Sequence, residues 1–358
     1  MFEKLMKNLF NILLFVFCFL NTHAKEKINF FRPDHAQIKY MGRIDFSEKI
    51  KPKMWASASQ VHFTFKGTLC KVVITDEELY GKYHNYIDII VDGNYTRIKL
   101  KSKKDTILIA NGLRHAVHHV ILVKSTEAGI GYIQFDGILC NKLIKSAATT
   151  SRKIESFGDS ITSGMGSDTI AVGCHKADWY DQTNGYMSYA AITGRALNAQ
   201  YHLTSASGIG IIHSCCDMDI LMPQVYNKIS LRDNKILWDF NKYQPDVVTI
   251  CLGQNDGVQD SAKFCNAYIK FVEKLREHYP AATIILLSSP MADAKLLAAF
   301  TNYLPAVRNH FFAAGDKNVF RYIFSKQSIS GCDSHPSIAE HKQIAGELTA
   351  YIKEIKKW

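Results

Sequence analysis

The stretch that decides the fold of the C-terminal half reads Lys153-Ile154-Glu155-Ser156-Phe157-Gly158-Asp159-Ser160-Ile161-Thr162-Ser163-Gly164. It begins as a short strand-like run and ends in a glycine turn that carries a serine. A serine hydroxyl attacks an acyl carbon when a base takes its proton and preplaced donors meet the developing oxyanion. Ser160 is therefore predicted to be a nucleophile, provided that other parts of the chain supply a histidine and N–H donors.

Strand-like runs alternate with helical patterns from this stretch to the end of the chain. The predicted strands cover residues 153–158, 201–205, 246–252, 283–288 and 319–324, and the predicted helices cover residues 187–197, 262–278, 292–313 and 338–356. This alternation is typical of a parallel sheet covered by helices on both faces, in which ligands bind beyond the carboxyl ends of the strands. Ser160 follows the first of these strands directly, so chemistry is expected there.

Two further strand ends offer donors for an oxyanion. Gly208 follows the strand at 201–205, and a glycine lets the backbone approach a bound group and direct its N–H at it. Asn255 follows the strand at 246–252 and can donate from its side-chain amide, whereas Asp256 suits an acceptor that fixes the loop. Taken alone, each would be read as an ordinary turn residue.

The base is expected just before the terminal helix, in the stretch Asp333-Ser334-His335-Pro336. An aspartate two residues before a histidine lets one short loop deliver both the base and the acceptor that fixes its tautomer. A His-Pro pair can also mark a simple helix entry. The four stretches together complete the residue set of a serine esterase.

The part of the chain before these stretches is predicted to be all β. Short alternating runs, such as residues 61–65, 86–91 and 95–100, are separated by turn residues, and Asp92-Gly93 is a strong hairpin signal. Many short strands without helical periodicity favour a β-sandwich. The polar residues 146–151 are interpreted as a linker, which predicts a β domain at 25–147 and a hydrolase domain at 148–358.

The first 24 residues have the composition of a signal peptide. Lys4 and Lys7 precede an apolar run at residues 9–20, and Thr22-His23-Ala24 is typical of a cleavage site. The mature chain is thus expected to be secreted or periplasmic, without a membrane span. Eight cysteines follow, and an even number in an exported chain permits disulfides without indicating their pairing.

The charge distribution and the histidine spacing argue against two further kinds of site, one for nucleic acid and one for a metal. The formal net charge of +10 is spread along 358 residues without a basic stripe, which argues against a nucleic-acid partner. His115 and His119 are spaced so that they would share a metal only on a helix. The surrounding pattern is strand-like, which argues against a metal site there. The predicted mechanism requires no metal or organic cofactor.

The block order resembles the SGNH (GDSL-type) hydrolase superfamily. The residues that carry this resemblance are Gly158-Asp159-Ser160, Gly208, Gly253, Asn255-Asp256, Asp333 and His335. More narrowly, the chain resembles carbohydrate esterase family two through Gly42-Arg43-Ile44-Asp45-Phe46, Phe65-Lys66-Gly67-Thr68, Val91-Asp92-Gly93, Gly185 to Tyr189, Ala190-Ala191-Ile192-Thr193 and Pro245-Asp246-Val247-Val248. The resemblance implies a jelly-roll-like β-sandwich followed by a flavodoxin-like hydrolase domain.

This resemblance also implies the activity and the residue roles. It implies removal of acetyl groups from plant cell-wall polysaccharides such as xylan and glucomannan through an acetyl-enzyme. Ser160 is the implied nucleophile and His335 the base, with an oxyanion hole formed by Ser160, Gly208 and Asn255. The Asp–His separation is two residues where most of the superfamily has three, so either the carboxylate of Asp333 or a backbone carbonyl is expected to orient the histidine.

The sequence offers several candidates for the sugar-binding residues and for the substrate. Members of the family often carry an aromatic platform for the sugar, for which Trp179, Tyr180 and Trp238 are candidates. The alternatives to carbohydrate deacetylation are the same chemistry on a lipid, a thioester or acetylated peptidoglycan, or a glycan-binding protein with an idle hydrolase domain.

Overall fold

The computed structural model describes residues 27–147, 149–232 and 236–358. The predicted signal peptide at residues 1–24 lies outside these residues. Within them the chain forms one antiparallel sheet followed by one parallel sheet with helices on both faces, which confirms the predicted fold class. No helix among the described residues is long and apolar enough to cross a membrane.

The antiparallel sheet is built from ten strands. They are β1 (Asn29–Phe31), β2 (Lys39–Met41), β3 (Ile44–Asp45), β4 (Lys53–Met54), β5 (Gln60–Asp76), β6 (Tyr86–Val91), β7 (Asn94–Lys99), β8 (Lys104–Ala110), β9 (Ala116–Lys124) and β10 (Ile133–Ile144). The strand order is β3-β4-β10-β5-β9-β6-β7, with β1 paired to β10 and with β2 and β8 paired to β5.

The long strand β5 organises this sheet. Its first half pairs with β9 and its second half with β8, while β10 runs along most of its length. The alternating side chains of Val61, Phe63 and Phe65 point into a core that they share with strands β9 and β10. This period of two is the alternation that predicted a strand at residues 61–65.

The predicted hairpin at Asp92-Gly93 is also confirmed. Strands β6 and β7 pair antiparallel up to Val91 and Asn94, which leaves a two-residue turn between them. Asp92 and Gly93 have φ values of 50° and 86°, as a two-residue hairpin turn with left-handed central residues requires.

The parallel sheet follows after a short connection. Its strands are β11 (Lys153–Gly158), β12 (Gln200–Ser205), β13 (Val247–Cys251), β14 (Thr283–Leu287) and β15 (Val319–Tyr322), in the order β12-β11-β13-β14-β15. The chain moves from β11 to β12 on one side and then to β13 on the other, so the strand order reverses beside β11. Ligands in open parallel sheets bind at such a switch point. The predicted domain boundary at residues 147 and 148 falls between β10 and β11 and stays a prediction.

Six α-helices accompany these strands within the described residues. They are α1 (Ser160–Ser163), α2 (Tyr189–Ala196), α3 (Met222–Val225), α4 (Ser261–His278), α5 (Ala294–Ala313) and α6 (Ile338–Lys356). Helices α4 and α5 bury apolar side chains such as Phe264 and Phe300 on one face of the sheet. Helices α2 and α6 cover the opposite face with Tyr189, Ile344 and Leu348. The sheet is therefore buried on both faces, as parallel sheets are.

The two sheets are joined by a buried ion pair. Arg43, which follows β2, is 1% exposed and donates from Nε to Oε1 of Glu155 in β11 over 2.8 Å. Its Nη1 also donates to the main-chain oxygen of Lys228. Thr204 and Tyr279 donate to the same Glu155 carboxylate. Because the Arg43 charge is paired with Glu155 and the Glu155 carboxylate also accepts two hydroxyl donors, this buried pair links the N-terminal sheet to the core of the C-terminal sheet.

Candidate active site

The nucleophile turn lies at the carboxyl end of β11. Asp159 is the N-cap of α1 and accepts the N–H of Ile161 over 3.0 Å, which places Ser160 in the first helical position. Ser160 is 5% exposed. A side chain at Gly158 would collide with Thr162, so a glycine is required for the strand to turn this tightly into the helix.

The predicted base meets the predicted nucleophile. Nε2 of His335 lies 2.8 Å from Oγ of Ser160, although the two residues are far apart in the sequence. Burial lowers the pKa of His335 below its ordinary value, and nearby main-chain carbonyls of Asp333 and Cys332 oppose that shift. A neutral imidazole that accepts the Ser160 proton is the state that a general base needs.

The orientation of the histidine comes from the backbone. Nδ1 of His335 lies 3.0 Å from the main-chain oxygen of Asp333, so Nδ1 carries the hydrogen and Nε2 is left as the acceptor. The carboxylate of Asp333 instead lies 3.8 Å from Nε2 of the exposed His175. Of the two alternatives left open by the sequence, the structure contains the backbone carbonyl contact, and among the described residues no hydrogen bond between the Asp333 carboxylate and His335 supports the role predicted for that side chain.

The loop that carries His335 is held from several sides. The N–H of Cys332 donates to the main-chain oxygen of Gly166 over 2.8 Å, and a disulfide joins Cys332 to Cys174. Gly166 has a φ of 69°, and a Cβ there would lie 3.0 Å from Cβ of His335. A capping box between Ser337 and Glu340 then begins α6 directly after the loop. These contacts fix the backbone on both sides of the imidazole.

The turn at Gly208 follows β12. Gly208 has a φ of 83°, which favours glycine, and its main-chain oxygen accepts the N–H of Cys215 over 2.8 Å. Beyond it, the carboxylate of Asp256 accepts the main-chain N–H groups of Ile211, Ile212 and His213. Asp256 is therefore the loop-fixing acceptor that its position after β13 predicted.

Asn255 lies between this turn and the nucleophile. Its Nδ2 donates to the main-chain oxygen of Ile209 over 2.9 Å and lies 3.4 Å from Oδ2 of Asp159. Burial raises the pKa of Asp159 to about 7. Among the described turns and loops, no main-chain oxygen accepts a hydrogen bond from the main-chain N–H of Ser160 or Gly208. The structure thus brings together the ends of β11, β12 and β13 around donors that could receive an oxyanion.

The three aromatic candidates for a sugar platform do not form one exposed surface, although the rings of Trp179 and Tyr180 pack edge to face with centroids 5.9 Å apart. Tyr180 is 1% exposed, and Trp238 is buried against Arg43 with the guanidinium 5.4 Å from its ring. Neither therefore presents a ring face to solvent, and their prediction as a platform is corrected on that ground. Trp179 is 41% exposed, and in the sequence it lies between Cys174 and the buried Asp181. Its contact with a sugar stays a prediction.

The sequence interpretation missed two residues that shape this site. Gly166 could have been suspected from the repeated glycines at 164 and 166 directly after the nucleophile helix. Cys174 carried no signal, because only the fold places it beside Cys332. In the described residues no group of three His, Cys, Asp or Glu side chains could hold a metal ion.

Comparisons with known proteins match both parts of the chain. Residues 40–148 match the carbohydrate esterase 2 N-terminal model, and residues 156–318 match the GDSL-like lipase/acylhydrolase family model. A solved family two carbohydrate esterase from Clostridium thermocellum, in complex with cellohexaose, superposes with a TM-score of 0.82 at 36% identity, covering 90% of this chain and 99% of that one.

Two curated relatives add to this likeness. The cellulase/esterase CelE of Acetivibrio thermocellus is 36% identical over 338 residues, which are 91% of this chain and 40% of CelE. The chain therefore spans less than half of that relative. An acetylxylan esterase / glucomannan deacetylase of Cellvibrio japonicus is 28% identical over 295 residues, 80% of each chain.

Proposed function

The chain belongs to the family two carbohydrate esterases, and from this premise we propose that it is a serine esterase that removes O-acetyl groups from plant cell-wall polysaccharides such as xylan and glucomannan. The observation that carries the proposal is the 2.8 Å contact between Ser160 Oγ and His335 Nε2 at the switch point of the parallel sheet. The substrate class is taken from the name of the Cellvibrio japonicus relative.

The proposed reaction begins with attack of Ser160 Oγ on the acetyl carbon while Nε2 of His335 takes the serine proton. The Nδ1–H of His335 donates to the Asp333 carbonyl throughout, which stabilises the imidazolium that forms. The carbonyl oxygen of the ester becomes an oxyanion, for which Ser160 N–H, Gly208 N–H and Asn255 Nδ2 are the proposed donors. Asn255 would turn to it the amide hydrogen that now makes the longer, 3.4 Å contact with Asp159.

The intermediate then collapses. His335 gives its proton to the leaving sugar hydroxyl, and the acetyl group stays on Ser160 as an ester. Water attacks this acetyl-enzyme with His335 again as the base, which releases acetate and restores the serine. Every proton in the cycle passes through His335 Nε2, so the site requires no further acid or base.

The N-terminal signal and the two-domain division remain part of the proposal. We infer an exported enzyme that acts on acetylated polysaccharide outside the cytoplasm, since the basic and apolar pattern of residues 4–24 is that of a signal peptide. Residues 25–147 and 148–358 are the proposed β and hydrolase domains. The buried hydrogen bond from Arg43 to Glu155 supports a role of the β domain in stabilising the hydrolase domain.

The test is acetate release from acetylated xylan and from acetylated glucomannan by the mature chain. Ser160→Ala is the control, and a long-chain acyl ester is the competing substrate. Acetate from either polysaccharide, abolished in Ser160→Ala, with poor cleavage of the long-chain ester, supports the proposal. Cleavage of the long-chain ester alone would keep the chemistry and refute the substrate class.

A further inference from the structure

A carboxylate from the N-terminal part of the chain reaches the oxyanion turn. Glu127 follows β9 and is 1% exposed, and its Oε2 accepts the main-chain N–H of Ser207 over 2.7 Å. Ser207 directly precedes Gly208, the predicted oxyanion donor. The contact therefore joins the β domain to the turn on which the proposed chemistry depends.

The segment that carries Glu127 is itself anchored. The buried Lys124 donates from Nζ to the main-chain oxygens of Thr126 and Glu127 over 2.7 and 3.0 Å. Ser125 accepts the N–H of Gly185 on its main-chain oxygen. A carboxylate on such a fixed backbone holds its acceptor at one place, which a side chain on a mobile loop would not do.

A neighbouring contact braces the nucleophile helix from the same side. Oγ of Ser57, in the N-terminal part, lies 2.9 Å from the main-chain oxygen of Ser163 at the end of α1 and donates to it. Within the described residues, Oε1 of Glu127 has no hydrogen-bond partner, so the contact with Ser207 is its polar anchor. Burial raises the pKa of the Glu127 carboxyl, and the nearby side chains of Ser207 and Ser163 oppose that shift, so Glu127 lies between the serine helix and the oxyanion turn.

The geometry around Gly208 shows what this anchor does. The Gly208 N–H belongs to the peptide between Ser207 and Gly208. The peptide before it is held through the Ser207 N–H by Glu127, and the peptide after it is held through the Gly208 oxygen by the Cys215 N–H. Because both flanking peptides are fixed, the direction of the Gly208 N–H is fixed as well.

We propose that Glu127 is a positioning residue that sets the direction of the Gly208 N–H in the oxyanion hole, so that the β domain contributes to catalysis and does not only brace the fold. This inference rests on the proposed esterase function. Its contribution is the acceptor oxygen and not the negative charge, since a charge beside the hole would oppose an oxyanion.

The inference is tested with kcat and KM for an aryl acetate, which reports the acyl transfer without the polysaccharide. Glu127→Ala is expected to lower kcat by about 10- to 100-fold with KM changed less than about 2-fold, because displacing one donor by about 1 Å costs up to this much. Glu127→Gln keeps the acceptor oxygen and is expected to retain at least about half of kcat.

Glu77→Ala is the matched control. Glu77 also lies in the N-terminal part and receives Arg232 of the C-terminal part in two hydrogen bonds of 3.1 Å, and its other hydrogen bonds among the described residues go to the backbone of Tyr132 and not to Ser207 or Gly208. It is expected to lower the melting temperature and to leave kcat unchanged. Equal kcat losses in Glu127→Ala and Glu77→Ala, or no recovery in Glu127→Gln, would overturn the inference.

The experiment also covers a Glu127→Ala variant that does not fold, and it distinguishes failure of this inference from failure of the proposed function. If Glu127→Ala does not fold, Glu127→Asp replaces it, because it withdraws the carboxylate by about 1.5 Å while keeping the charge. A kcat for Glu127→Asp equal to that of Glu127→Gln would refute the inference. A folded wild-type chain that cleaves no acetyl ester refutes the proposed function instead, whereas an active wild type with equal variants refutes only the role of Glu127.

Discussion

Nδ1 of His335 is bonded to the main-chain oxygen of Asp333 and not to the Asp333 carboxylate, which faces His175. The residue that the sequence offered as the third member of a triad thus contributes its peptide group. A main-chain carbonyl carries only a partial negative charge, so it fixes the tautomer of the histidine but stabilises the imidazolium less than a carboxylate does.

The first prediction follows from this contact. Asp333→Asn removes the charge, keeps the main-chain carbonyl and suits the left-handed backbone at this position, where φ is 51°. We expect kcat/KM for an aryl acetate to fall less than about 3-fold, whereas loss of a true orienting carboxylate costs up to about 10⁴.

Asp217→Asn is the matched control for this change. Asp217 is exposed and also left-handed, with a φ of 56°. A loss of more than about 100-fold in Asp333→Asn, with Asp217→Asn at the wild-type level, would show that the carboxylate acts after all.

The second prediction concerns pH. Burial lowers the pKa of His335 below its ordinary value of 6.5, and the reaction needs the neutral imidazole. As the pH falls, kcat/KM is therefore expected to decrease with a midpoint below 6.5. The measurement is the pH profile of kcat/KM for an aryl acetate, in buffers in which the fold is shown to persist.

Asp159 provides the control for that profile, because its pKa is raised to about 7. Asp159→Asn keeps a side-chain oxygen for the Ile161 N–H and removes this titration. A limb near pH 7 that disappears in Asp159→Asn would assign the profile to Asp159 and contradict the prediction for His335.

The elements that the sequence predicted well are those whose pattern is local. The apolar run of β13 and the amphipathic face of α4, with Phe264, Tyr268 and Val272 buried, depend on periodicity alone. The four stretches around Ser160, Gly208, Asn255 and His335 were also identifiable, because parallel strands bring their carboxyl ends to one edge.

Contacts that depend on the approach of distant segments could not be predicted. The sequence around Trp238 does not show whether its ring faces a sugar or Arg43. Only the packing of the two sheets places it against Arg43. Glu127 lies 80 residues before Ser207, and nothing in its neighbourhood distinguishes it from a surface glutamate. The disulfide partner of Cys332 could not be predicted either, because Cys174 lies 158 residues away in the sequence.

The third prediction concerns Asn255. Its amide lies between the Ile209 oxygen and Asp159, beside the proposed oxyanion donors. Asn255→Ala is expected to lower kcat by about 10²- to 10³-fold, the usual cost of one oxyanion donor. Asn302→Ala, which removes an exposed asparagine of α5, is the control and should leave kcat unchanged. A decrease in kcat of less than about 5-fold in Asn255→Ala would contradict the assignment.

The fourth prediction concerns the disulfide between Cys174 and Cys332, which joins positions 158 residues apart. Replacing both with serine is expected to lower the free energy of unfolding by about 2–4 kcal/mol, because the unfolded chain regains the entropy of a long loop. Since Cys332 lies in the loop of His335, kcat should fall as well. Denaturant unfolding and aryl acetate kinetics measure the two effects.

The disulfide between Cys215 and Cys216 is the internal control. It joins adjacent residues and therefore closes no loop. Its double serine variant is expected to unfold at the wild-type denaturant midpoint within error. An equal loss of stability in both double variants would contradict the loop-entropy explanation.

The fifth prediction tests the buried tie between the two sheets. Arg43→Ala leaves the Glu155 carboxylate, which is fully buried, without its cation, and breaking one side of such a pair costs about 3–5 kcal/mol. Arg32→Ala breaks the exposed pair with Asp34 and is the matched control, with no measurable change expected.

Denaturant unfolding followed separately by far-ultraviolet circular dichroism and by tryptophan fluorescence measures both variants. A single transition in the wild type that separates into two in Arg43→Ala would show that this ion pair couples the β sheet to the parallel sheet. An Arg43→Ala midpoint equal to that of Arg32→Ala would show that the sheets are held together without it.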